Sequence, residues 1–232
     1  MYYLKYFSFV IALSLSFIQP VFSQSDSQRN DFIKAAKFDD VNTVKSLISQ
    51  GIDPNLVDLY GNPMLVLAIK DRSYQVIDLL LVSKGMDVDL SNKQGETPLM
   101  MASINGDLPL VRTLVLKNKA QLDHISWTPL HYACSKGHLD VAQFLIANGA
   151  KVDSLSLGGA TPLMMAVHSG NELLVKLLLD KGANLQLRNT EGITAIDIAD
   201  IYGKPEISEG LRSRWLKLYK QPYLSTSKLM QP

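Results

Sequence analysis

Residues 128–150 read TPLHYACSKGHLDVAQFLIANGA. Thr128 followed by Pro129 is a helix start. The threonine hydroxyl can accept an orphan backbone N–H, and proline suits the first helical position, where no N–H is missed. Ala133 is small, as required where two helices approach closely. Gly137 permits the left-handed conformation that ends the helix. The apolar run Leu139–Ala150 then forms a second helix, which stops at Gly149. This stretch encodes a helix, a tight turn and a second helix.

The same pattern recurs along most of the chain. An alanine repeats at Ala35, Ala68, Ala102, Ala133, Ala166 and Ala199, in steps of 33, 34, 31, 33 and 33 residues. Related hexamers end on four of them: TPLMMA at 97–102, TPLHYA at 128–133, TPLMMA at 161–166 and TAIDIA at 194–199. Glycines follow four residues later at Gly106, Gly137, Gly170 and Gly203. Second helices end at Gly51, Gly85, Gly149 and Gly182, and extended segments with turn glycines (Gly61, Gly95, Gly159, Gly192) lead onward.

This pattern resembles the ankyrin repeat, from about Asp31 to Arg212. The resemblance implies an all-α repeat solenoid of about six ankyrin repeats, each a helix–turn–helix with a projecting β-hairpin. Units start near residues 31, 62, 97, 128, 161 and 194. One unit cannot bury its apolar face alone, so neighbours stack and the ends need caps. The first unit, rich in charge and without a Thr-Pro start, reads as the N-terminal cap. The last has Ala195 in place of proline and a polar second helix, Pro205–Leu211, and reads as the C-terminal cap.

Three places depart from the pattern. Pro63 and Met64 stand where Thr-Pro is expected. Arg72 replaces an inter-helix glycine, which predicts strain at that turn. The stretch 118–127 is two residues short and has Ser126 for the turn glycine. This predicts a stunted hairpin with Trp127 close to the helices.

Composition narrows the function. The chain has 232 residues, 47% hydrophobic and 19% charged, enough for a packed core. Its 23 basic and 22 acidic side chains argue against nucleic-acid binding. A single cysteine, Cys134, excludes an internal disulfide framework.

Residues 1–23 form a candidate leader. Lys5 gives a positive start, and Tyr6–Ile18 is an uncharged run of 13 residues, short for a membrane span. Val21-Phe22-Ser23 suits cleavage after Ser23, with Ser25 as the alternative site and an uncleaved anchor as the alternative reading. The expected protein is periplasmic or secreted, with a short linker at 24–30.

No phosphate loop, nucleophile elbow or HExxH signature is present. His131, Cys134 and His138 form the one enzyme-like cluster, readable as a thiolate with its base or as three metal ligands. The resemblance implies instead that these histidines bond to backbone and fix turns. Met100, Met101, Met164 and Met165 read as packing. No cofactor, metal or catalytic residue is expected.

The resemblance implies protein binding on a concave face lined by hairpin tips and first-helix ends. Position by position, the candidate partner-binding residues are Tyr60, Asn62, Gln94, Glu96, Ile104, Asn105, Ile125, Trp127, Lys136, Leu157 and His168. Tyr60, Ile104, Ile125, Trp127 and Leu157 put apolar groups where a non-binding solenoid would prefer polar ones. The alternative for Ile125 and Trp127 is that both fold inward to fill the short hairpin. The expected protein is a monomer with an unidentified protein partner.

The segment 213–232 is expected to be a basic cap helix and tail. Leu211, Trp215 and Leu218 fall on one face at helical spacing, beside Arg212, Arg214, Lys217 and Lys220. This helix either covers the last repeat or rests on an anionic membrane. Pro222 should end it and leave a loose tail from Tyr223.

Overall fold

The computed structural model describes residues 26–225. The leader with its cleavage site after Ser23, and the tail beyond 225, lie outside the described residues. The described chain forms α1 (Asp26–Lys37), α2 (Val41–Ser49), α3 (Met64–Lys70), α4 (Tyr74–Leu81), α5 (Pro98–Ile104) and α6 (Leu108–Arg112). It continues with α7 (Pro129–Ser135), α8 (Leu139–Ala147), α9 (Pro162–Ser169), α10 (Glu172–Asp180), α11 (Ala195–Ile201) and α12 (Pro205–Tyr219). The first helices α1, α3, α5, α7, α9 and α11 pack in a row, and the second helices α2, α4 and α6, α8, α10 pack in another. A continuous core runs between the rows, with Leu65, Leu99, Leu130, Leu163 and Ile196 almost wholly buried in successive units.

The threonine caps form as expected, and each is a reciprocal pair. Thr97, Thr128, Thr161 and Thr194 accept from the backbone N–H three residues on. The side chain at that third position accepts in return from the threonine N–H. The returning acceptor is the Met100 sulfur, His131 Nδ1, the Met164 sulfur and Asp197 Oδ2. Met100 and Met164 are therefore packing residues and weak cap acceptors at once.

Neighbouring units are stitched at the inter-helix turn. Ser73 Oγ donates to the Lys37 carbonyl, Asn105 Nδ2 to Ile69, His138 Nε2 to Ile104 and Asn171 Nδ2 to Gly137. Each bond reaches a carbonyl at or just past the end of the preceding unit's first helix. Gly106 sits against this ladder: a Cβ there would lie 2.6 Å from the His138 ring. Arg72 does take the strained left-handed conformation, at φ 58°, as do Asp39 and Lys119 at other turns.

The uneven steps have a simple composition. From the inter-helix turn to the alanine-like residue after the second helix, the spacing is 13 residues in the fourth and fifth units (Gly137 to Ala150, Gly170 to Ala183). It is 14 in the second and third (Arg72 to Met86, Gly106 to Ala120). In the third unit the extra residue is absorbed as a π turn, Thr113–Lys117, which continues α6. The step of 31 thus conceals one residue gained in the helix and three lost from the hairpin.

Two expectations change. Residues 26–30 are not linker, because α1 already begins at Asp26. The described residues contain no β-strand; one isolated bridge, Val57 to Pro63, is the nearest approach. The projections are short turns, each closed by two backbone bonds and a polar side chain. Asp58, Asn92 and Asn189 each accept two backbone N–H groups within their own turn. Turns this tight have no room for a ladder.

The C-terminal end is a cap built from one helix, α12, rather than a short helix and a separate extension. Leu211 and Trp215 are buried on the last unit, whereas Leu218 is exposed, so the face does not extend as the spacing suggested. Arg212 pairs with Asp200 and Arg214 with Asp180, so these two cations serve the repeat. The tail is not loose at its start: Tyr223 is buried, and its hydroxyl bonds Asp197 and Thr194. No helix among the described residues is long and apolar enough to cross a membrane.

Candidate interaction surface

Turns 58–62, 92–96, 156–160 and 189–193 project from the start of the first helices. Each is pinned by two backbone bonds: the first residue's N–H donates to the fifth residue's carbonyl, and the fourth residue's N–H donates back to the first residue's carbonyl. Their tips leave Leu59, Tyr60 and Leu157 more than three-quarters exposed. At the other end of the first helices, Phe38, Ile201 and Tyr202 are also exposed. His168 is exposed too, and Tyr202 meets it edge-on at 4.4 Å between ring centres. Gln94, Asn105, Ile125 and Lys136 are exposed.

Other residues expected on this face are partly spoken for. Ile104 is half-buried against the core rather than free. Asn62 is half-buried and donates to Asp58 within its own turn. Asn105 spends its amide on the Ile69 carbonyl. Glu96 pairs with Lys70 at 3.5 Å and accepts from Asn92 Nδ2 and the Tyr132 hydroxyl. Burial, with the Glu96 charge beside it, pushes the Tyr132 phenol up to about 12.

The shortened segment behaves as two residues with opposite fates. Ile125 is 88% exposed and does not fold inward. Trp127 is half-buried, tilted against His131 at 5.9 Å and Tyr132 at 5.1 Å. Beside it lies a cavity of about 240 Å³ lined by Gln94, Gly95, Met100, Ser126, Trp127 and Tyr132. Sequence reasoning missed Tyr132 and Met100 as part of this surface. The available signal was an aromatic at Tyr132, where the neighbouring units carry Met101 and Met165. It also missed a groove of about 410 Å³ between α10 and α12, walled by Leu173, Lys176, Ile207 and Arg214.

The enzyme-like cluster resolves into structural roles. His131 Nδ1 accepts from the Thr128 N–H, so Nε2 carries the proton and donates to the Ala160 carbonyl at 3.0 Å. Burial holds this imidazole below its ordinary pKa. His138 Nε2 donates to the Ile104 carbonyl. Cys134 is wholly buried, and burial pushes its thiol up, away from the reactive thiolate. Among the described residues, no three histidine, cysteine or carboxylate groups converge to hold a metal.

Comparison with known proteins agrees with this architecture. A family model described as ankyrin repeats (3 copies) matches residues 32–125, 65–156, 116–189 and 142–214. The ankyrin repeat protein YahD of Escherichia coli K12 is 31% identical over 191 residues, covering 77% of this chain and 92% of that protein. Other curated relatives are longer, and the chain spans 11% to 34% of them. Among solved structures, an ankyrin repeat domain from Acinetobacter baumannii has a TM-score of 0.65 at 28% identity, covering 78% of this chain and 95% of that one. A second match has a TM-score of 0.69 at 27% identity, covering 78% and 96%. It comes from the predatory endopeptidase Bd0816 of Bdellovibrio bacteriovorus in complex with immunity protein Bd3460.

Proposed function

The chain belongs to the ankyrin repeat family, whose repeats are protein–protein interaction modules, and we propose that this protein is an exported, non-enzymatic binder of a protein partner. The partner sits on the face formed by the turn tips and the first-helix ends. One observation carries this reading: Leu59, Tyr60, Ile125 and Leu157 expose large apolar side chains at three of the five tips of the stitched row. Exposed apolar rows on a rigid scaffold mark interaction surfaces. The apolar leader of residues 6–18 supports export to a periplasm or to the outside. The Bdellovibrio complex of an endopeptidase with an immunity protein supports a narrower form of the same reading, in which the partner is an enzyme.

The test is a pull-down from envelope extract with the chain from Gln24 onward as bait. A second bait carries Leu59, Tyr60, Ile125 and Leu157 changed to serine. These side chains are exposed, so the variant keeps its circular dichroism and Tm. A partner held by the first bait and lost with the second is the expected result. Equal capture by both removes the face assignment. Edman sequencing of the exported protein checks the leader, with Gln24 expected first.

A further inference from the structure

The row of tips has one gap. Turns 92–96 and 156–160 each close with paired backbone bonds. Between them, segment 123–127 is three residues short and closes none. The flanks of α5 and α7 that a full turn would cover are left as the cavity beside Trp127. Its floor is built of side chains that are already fixed. Met100 is held by its bond to the Thr97 N–H, and Tyr132 by its bond to Glu96. The Trp127 and Tyr132 rings stand 5.1 Å apart at 58°, leaving ring faces and edges toward the opening. The Trp127 indole N–H has no hydrogen-bond partner among the described residues and is not sealed from solvent.

We propose that this notch is an anchor pocket that takes one aromatic side chain, carried on an acidic segment of the protein partner. The inference rests on the concave-face reading above and names what that face holds. Size comes first: about 240 Å³ suits a single large side chain rather than a cofactor. Chemistry comes second. Two tilted rings and a thioether favour an aromatic guest, which packs offset or edge-on with rings and against sulfur. Charge decides the flanks. The two nearby carboxylates are occupied, Glu96 by Lys70 and Asp123 by Lys151. Lys136 lies four residues after Tyr132, on the same helix face. It forms no ion pair among the described residues, whereas Lys93 is spent elsewhere, its stem lying along Gly61 of the preceding turn. A cationic guest would meet Lys136 with no free carboxylate to receive it, whereas a carboxylate beside the anchor would be drawn in.

The experiment reads the notch directly. The chain has two tryptophans, so its two indole 1H–15N signals are assigned with Trp127→Phe. Three blocked peptides serve as probes: DEFED, DEAED and KRFRK. DEFED is expected to shift the Trp127 signal saturably, with a Kd on the order of 1 mM, and to leave Trp215 unmoved. DEAED and KRFRK should bind at least tenfold more weakly. Lys136→Glu, an exposed change, should weaken DEFED severalfold, and raised salt should do the same. Equal binding of DEAED overturns the aromatic anchor, and equal binding of KRFRK overturns the acidic flank. No shift at Trp127 overturns the pocket. The peptides report on the notch alone. A silent notch with a partner lost from the tip-substituted bait leaves the face reading standing, and capture by both baits sinks that reading whatever the peptides do.

Discussion

His131 donates its Nε2–H to the backbone carbonyl of Ala160, 3.0 Å away and one unit further along the chain. Its other nitrogen accepts from the cap of its own helix. A neutral imidazole therefore locks two repeats together, and it can do so only without a second proton. Burial lowers its pKa from the ordinary 6.5, so the unfolded chain takes up the proton first. The contribution is complete above about pH 6.5 and is lost as pH falls from there toward the depressed folded value. Urea unfolding should give a lower midpoint at pH 5 than at pH 7. His131→Met, the residue used by neighbouring caps, should lose about 1 kcal/mol at pH 7 for the missing bond and show a flatter response to acid.

Gly106 and Gly203 end equivalent helices with left-handed backbones, at φ 70° and 61°. Around Gly203 a Cβ would meet nothing within 4 Å, whereas at Gly106 it would strike the His138 ring. Gly203→Ala should cost about 1 kcal/mol of backbone strain alone. Gly106→Ala should cost about 1 kcal/mol more, because His138 must leave the Ile104 carbonyl. Paired denaturation curves measure the difference, and equal losses would show that the ring yields freely.

Asp197 is buried at the end of the array. Burial alone would raise its pKa, but donors from Tyr223, Thr194 and Ser225 outweigh it and hold the carboxyl below the usual range. Tyr223→Phe removes one charged hydrogen bond and should cost about 2 kcal/mol. The loss should be largest above pH 4 and fade as acid protonates Asp197, which thermal melts at pH 7 and pH 3 would show.

Cys134 lies wholly inside the core. A thiol reagent should label it only at the rate of unfolding, and labelling within seconds of mixing would contradict its burial. Cys134→Ala should be tolerated within about 1 kcal/mol. Cys134→Ser should cost about 1–3 kcal/mol, for a hydroxyl with no assured partner.

Much of this architecture was legible because its signals are local. A threonine cap, a proline behind it and a left-handed glycine act within a few residues, so the unit boundaries could be read directly. The stunted turn was legible from length, but its composition was not. One inserted residue and three deleted ones leave a single net number, and only the π turn at 113–117 separates them. Ile104 misled because its burial depends on what packs beside it. Tyr223 was invisible for the opposite reason. It follows a proline that rightly ends a helix, and its partner Asp197 lies 26 residues away. The sulfur caps of Met100 and Met164 were hidden because methionine packs wherever it also accepts.

Asp197 also bears on how such an array changes length. In the internal capped units the returning cap acceptor is methionine or histidine, uncharged and at home between two neighbours. In the last it is a carboxylate that Tyr223 and Ser225 must come back to meet. A gene duplication that copied this final unit would place a second buried carboxylate in mid-array, with no returning tyrosine to receive it. Growth by whole repeats is therefore open upstream of Thr194 and closed beyond it. The final described repeat is set apart by its chemistry.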